Sequence, residues 1–185
     1  MAVRESMEYI IEFVRELIND PSGPNEQFSD QTIQDRLDMG RLDIYQECLR
    51  SADTRTSQGS IEWHDFFSRY GFWEEDYLIQ IINGQHNPPD SAELLVGKFI
   101  YEDHQSQPLM ITGRVYNVYG VSASLLTSWV ATLRGQITSW TADGTTVQRI
   151  GQIRDMRNLS MDYANRAWGW GNSTQVKLRR RDLRY

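Results

Sequence analysis

Residues 113–167 constrain this chain more than any other stretch. They read GRVYNVYGVSASLLTSWVATLR, cross a polar hinge at ITSWTADGTT and continue as VQRIGQIRDMRNLSMDYANRAW. In the first part Val115, Val118, Tyr119, Ser122, Leu125, Leu126, Trp129 and Leu133 recur at steps of three and four, which lays one apolar stripe along a helix. Thr112 is the expected cap of that helix. Gly120, Ser122, Ala123 and Ser124 keep its middle thin, so a second helix can approach closely. Asp143-Gly144 supplies the turn, and Thr145 or Thr146 can cap the second helix. In that helix Val147, Ile150, Ile153, Met156 and Leu159 recur at steps of three, so the stripe drifts around the axis. An antiparallel helix pair inside one molecule accounts for this spacing. A helix that also touches a neighbouring molecule accounts for the drift.

Upstream, residues 5–19 predict a helix with Met7, Ile10, Ile11, Val14, Leu17 and Ile18 on one face, and Glu8, Glu12, Arg15 and Glu16 on the other. Pro21, Gly23 and Pro24 stop it. A shorter helix starts from Ser29 as cap and ends at Gly40, with Ile33 and Leu37 inward and Arg36, Asp38 and Arg41 as a solvated set. The period then changes. Residues 42–51, 61–68, 77–82, 98–102 and 109–112 read as strands, the last two as a pair, and residues 52–60 as a polar loop. The expected fold is therefore α+β. Two N-terminal helices (1–41) and a long C-terminal helix pair (113–167) form a helical bundle, with a small antiparallel β subdomain (42–112) inserted and an extended arm (168–185) trailing.

That arm carries a charge asymmetry. The formal net charge of the chain is −6, yet the last nine residues, KLRRRDLRY, hold five positive charges and one negative. An acidic body with a basic tail suggests that the tail has a partner, either an acidic protein surface or nucleic acid. Trp168, Trp170, Leu178, Leu183 and Tyr185 give the tail apolar anchors, of the kind that offset the entropy of ordering such a segment on another chain.

Signals for catalysis are thin. There is no phosphate-binding Gly loop in a strand-to-helix context. His64, His86 and His104 stand far apart, without metal-ligand spacing. The single Cys48 excludes an internal disulfide and reads as a small buried side chain, and a reducing compartment is expected. Glu74, Glu75 and Asp76 read as a solvated turn, with a divalent cation as the lesser alternative. No run is apolar enough to span a bilayer, and no secretory leader, cofactor or metal is expected.

The run VYNVYGVSASLLTSWVATL, the aromatic–ADG hinge SWTADGTTVQR and a closing helix of this length resemble the C-terminal half of phage head–tail adaptor proteins, also called connector or head-completion proteins. The typical pattern there is a VYDLYxAAADLLExWAA-like helix, an ADG hinge and an amphipathic closing helix. The likeness covers roughly residues 30–167. It implies a structural virion protein without catalysis, at the head–tail interface. Copies would form a homo-oligomeric ring, usually of twelve, that binds the portal protein, extends the DNA channel and docks tail, stopper or neck proteins. Packaged DNA would pass without specific binding, and no membrane is involved. By position, Trp168, Trp170, Lys177, Leu178, Arg179, Arg180, Arg181, Leu183, Arg184 and Tyr185 would form the portal-binding arm. Ile150, Ile153, Met156 and Leu159 would face a ring neighbour. The rival expectation is a small DNA-binding or regulatory protein that uses the basic arm, with Arg179, Arg180 and Arg181 on phosphates.

Overall fold

In the computed structural model the described backbone covers residues 3–55, 61–137 and 145–172, and the described side chains cover 3–52, 61–134 and 151–167. The mixed α+β class is the one expected. The chain divides into two compact units, Met1–Val118 and Tyr119–Tyr185.

The first unit opens with a short 3-10 turn, Glu5–Met7, and helix α1, Glu8–Ile18. Ile10, Ile11, Val14 and Ile18 are buried along the predicted face. Asn19 ends α1 in the left-handed conformation, a role this residue tolerates better than most. Helix α2, Asp30–Met39, begins as expected from Ser29, whose side chain accepts from the Thr32 amide.

Beyond α2 the described residues of the unit form seven strands in two antiparallel sheets. One has the order β1-β7-β4, from Arg41–Cys48, Leu109–Tyr116 and Leu78–Ile81. The other has the order β2-β3-β6-β5, from Arg50–Arg55, Ile61–Phe67, Lys98–Ile100 and Ser91–Glu93. The chain changes sheets at buried Leu49, whose amide donates to Leu109 O at 2.9 Å. Strand β1 bulges between Ile44 and Glu47, where Gln46 takes a φ of 50°. Trp73, Tyr116, Phe99, Ile79, Leu109 and Ile111 are fully buried in this unit, along with Met7, Ile10, Ile33 and Leu37 from the helical segments.

Three expectations about elements are corrected. The helix predicted from residue 113 begins at Val118, as α3, Val118–Ile137; residues 113–116 belong to β7, with Val115 opposite Leu42. Val115 satisfies both periods: it sits three positions before Val118 and alternates with Leu109, Ile111 and Gly113. Thr112 is therefore no cap, and its hydroxyl accepts from the amide of Gln46 at the bulge, at 3.0 Å. The segment read as a polar loop continues as β2 to Arg55, paired with β3. A ladder is made by backbone groups, so polar side chains do not forbid it. Finally, β6 does not pair with β7. It lies between β3 and β5, with Phe99 opposite Phe66 on one side and Ala92 on the other. The hairpin to β5 turns through Gly97, at a φ of +71°, where a Cβ would stand 2.1 Å from Tyr70 O.

The second unit is the helix pair, α3 and α4, Thr145–Asn172. The hinge at 138–144 and the arm from residue 173 lie outside the described residues. Helix α4 runs on through residues 168–172, which the sequence pattern assigns to the arm, because each added helical residue gains a backbone bond once a helix is nucleated.

Candidate functional site

The predicted interaction residues belong to the second unit. In α4, Ile153, Ser160 and Tyr163 are buried, and Met156 and Ala167 are half-buried. These positions step by three and four in alternation, the spacing of a helix seam. The inward face is thus more regular than the stripe read from the sequence, because it is completed by a serine and a tyrosine. Ser160 explains its own place. Its hydroxyl donates to Ala123 O at 2.9 Å and lies 2.9 Å from Thr127 Oγ1. Such a short reach to the backbone of α3 requires the small residues expected near Ala123 and Ser124. Tyr119 and Tyr163 pack with ring centres 5.8 Å apart, and Arg166 lies over the Tyr119 ring at 5.5 Å.

Of the residues assigned to a ring neighbour, Ile153 is already buried within the chain, Met156 and Leu159 are half-buried, and the Ile150 side chain lies outside the described set. Met161 is 58% exposed beside Arg134 and Arg157 in a groove of the helix pair. Trp168 and Trp170 stand in α4 by backbone, with side chains outside the described set. Lys177, Leu178, Arg179, Arg180, Arg181, Leu183, Arg184 and Tyr185 are outside the described residues altogether.

The first unit carries two charge networks that the sequence did not reveal. Glu74 is fully buried, which corrects its reading as part of a solvated turn; Glu75 and Asp76 are exposed. One Glu74 oxygen takes Arg4 Nε at 3.1 Å and Ser6 Oγ at 2.6 Å. The other takes Arg114 Nε at 3.0 Å and the Tyr116 hydroxyl. Arg4 also grips Asp38 through two donors, at 2.6 and 3.1 Å, so Asp38 is not a free surface charge. That bond to Asp38 is the main reason the Arg4 guanidinium is held more firmly protonated than usual. Burial first, and then the bond to Glu74, push the Tyr116 hydroxyl above the ordinary phenol range. Both Glu74 oxygens are occupied, which suits a clamp between the N-terminus, α2 and β7 better than a proton donor or cation ligand.

Arg15 departs from its predicted outward face in the same way. It is 5% exposed and binds Asp20, Glu26 and Asp30 at 3.5, 3.2 and 2.6 Å. It also donates to Phe28 O at 2.8 Å, so one guanidinium organises the loop between α1 and α2.

The fold does bring two of the three histidines together. His64 and His104 have ring centres 6.4 Å apart. His64 bonds Glu62 at 3.3 Å and Tyr101 O at 3.1 Å, while His104 Nδ1 accepts from the Trp63 amide at 3.0 Å. With Nδ1 so engaged, the pair ties β3 to the segment after β6. Among the described residues no group of three His, Cys, Asp or Glu side chains could hold a metal ion. Cys48, expected to be buried, is exposed at the end of edge strand β1. No helix among the described residues is long and apolar enough to cross a membrane. No family model matches this chain, and no curated protein or solved structure matches it either.

Proposed function

We propose that this chain is a structural head–tail adaptor: a ring-forming protein under a phage portal, without catalytic activity, that extends the DNA channel and docks tail or stopper proteins. The observation that carries this reading is the order helix, ADG hinge, closing helix and basic arm in residues 118–185. The closeness of α3 and α4 through Ala123, Thr127 and Ser160 supports the helix-pair part of that pattern. In a ring, each copy meets the next head to tail. Leu159, half-buried and off the inward seam, is the described α4 residue left for that contact, and Ile153 serves the inside of its own unit. The arm reaches the portal, with Arg179, Arg180 and Arg181 on acidic groups and Tyr185, Leu183 and Leu178 as anchors.

Removing residues 173–185 leaves both helices complete and tests the reading directly. The shortened protein should remain folded, with unchanged circular dichroism, and should fail to sediment with purified portal. Undiminished portal binding would refute the role of the arm. The second reading, a DNA-binding protein, is favoured by one observation, the cationic character of residues 119–185. A gel-shift titration against duplex DNA at physiological salt separates the two. Submicromolar binding by the isolated chain would support the DNA-binding reading.

A further inference from the structure

Acid and base are segregated in this chain. Residues 1–118 hold nine Lys and Arg against twenty-one Asp and Glu, a net of −12, whereas residues 119–185 hold ten against four, a net of +6. A surface groove of the acidic unit joins carboxylates to apolar side chains with no cation in its lining. It has a volume of about 440 Å³ and lies between α1 and the turn that links β5 to β6. Tyr9, Leu94 and Leu95 line it and are half-buried, Val96 is 61% exposed, and Glu75 and Glu93 are both exposed. The turn that carries these residues is fixed by backbone bonds. Phe72 and Trp73 donate to Leu95 O and Leu94 O, each at 3.2 Å, and Ser68 donates to Gly97 O at 2.8 Å. The Tyr9 hydroxyl is buried and has no hydrogen-bond partner among the described residues.

The chemistry of this groove selects its occupant. An anion is repelled by Glu75, Glu93 and the −12 field around them. A neutral apolar segment would leave both carboxylates facing it unpaired. A segment that alternates cations with large apolar side chains satisfies both parts of the groove, and the sequence contains one, in KLRRRDLRY at its C-terminal end. We propose that residues 173–185 of one copy dock in the Tyr9–Val96 groove of a second copy. Leu178, Leu183 or Tyr185 fills the apolar part, and Arg179, Arg180 and Arg181 face Glu75 and Glu93. The contact joins the basic end of one molecule to the acidic unit of the next, so it is heterologous and propagates from copy to copy. This inference goes beyond the adaptor reading. It concerns the protein alone, and it supplies a place for the arm before any portal is present.

The test is a charge exchange on the full chain, read by sedimentation velocity. The unaltered protein should associate in a concentration-dependent manner that weakens with added salt. Glu75→Lys with Glu93→Lys should abolish association, and so should Arg179→Glu, Arg180→Glu and Arg181→Glu together. An equal mixture of the two variants should restore it, because each arm then meets a groove of opposite charge. Val96→Ser, a neutral change at an exposed position of the apolar part, should weaken association by about tenfold. Circular dichroism confirms that each variant is folded. A chain that is monomeric at every concentration overturns the proposal, including a monomer whose arm is protected from trypsin, which would place the arm on its own chain. Association that survives either reversal, or a mixture that stays monomeric, overturns it as well. Portal binding is scored separately, so loss of this contact with portal binding intact counts against the groove alone.

Discussion

The two units of this chain solve the problem of internal polarity in opposite ways. The unit Met1–Val118 buries full charges and surrounds them: Glu74 has four side-chain partners, and Arg15 gathers three carboxylates. In the unit Tyr119–Tyr185 the described arginines of α4 are exposed, and among the described residues its helices are linked by the Ser160 hydroxyl on Thr127 and Ala123 O and by Arg166 over the Tyr119 ring. The difference comes from what each unit must hold. Short strands, a 3-10 turn and loops have many backbone directions to fix, and a charged hub with several donors fixes them at once. Two long helices already satisfy their own backbone, so their contact needs no buried charge, only small side chains, hydroxyls and the Tyr119–Tyr163 ring pair.

The contrast can be broken most forcefully at Glu74. Glu74→Ala leaves Arg4 and Arg114 without their shared carboxylate, and should cost about 3–5 kcal/mol in denaturant unfolding, the range for breaking a buried ion pair. A loss within ordinary surface-mutation range would remove the clamp from the account of this unit. In the helical unit the corresponding change is milder. Ser160→Ala forfeits the bonds to Ala123 O and Thr127, and should cost about 1 kcal/mol. If it cost as much as Glu74→Ala, the two units would not differ in the way described. The smallest effect lies at His64, whose bond to Glu62 raises its pKa above the ordinary 6.5. A raised pKa means that the folded state holds the proton more tightly than the unfolded chain does. The contribution to stability is therefore complete below pH 6.5 and fades as pH rises through the folded-state value. Titration by NMR should show the raised midpoint, and Glu62→Gln should bring it back toward 6.5.

The features legible in the sequence were those encoded locally. Helices α1 and α2 were legible from period and punctuation, with the Ser29 cap found where it was expected. The α+β class was legible because the period changes after residue 41. The features that escaped were set by partners distant in the chain. Glu74 finds Arg4 seventy positions away, and Trp63 finds His104 forty-one positions away. No local pattern announces either contact. The boundary between β7 and α3 escaped because Val115 fits a strand and a helix equally well. The partner of β6 is not legible because the four-residue turn through Gly97 lacks the two-residue signature of a tight hairpin. In α4 the inward face is not legible from hydrophobicity, which cannot count Ser160 as an inside residue. Its reason for being there is a carbonyl on another helix.

The bulge in β1 also limits what its open edge can pair with. Strand β1 ends its sheet, and all eight of its residues are exposed or half-exposed, among them Tyr45 at 79%. A flat rim of that length is a template on which further molecules can stack without limit. The kink at Gln46 interrupts the comb of amides and carbonyls after a few residues, so an arriving strand loses register before it can gain much. Edge-to-edge growth along that rim is thereby disfavoured.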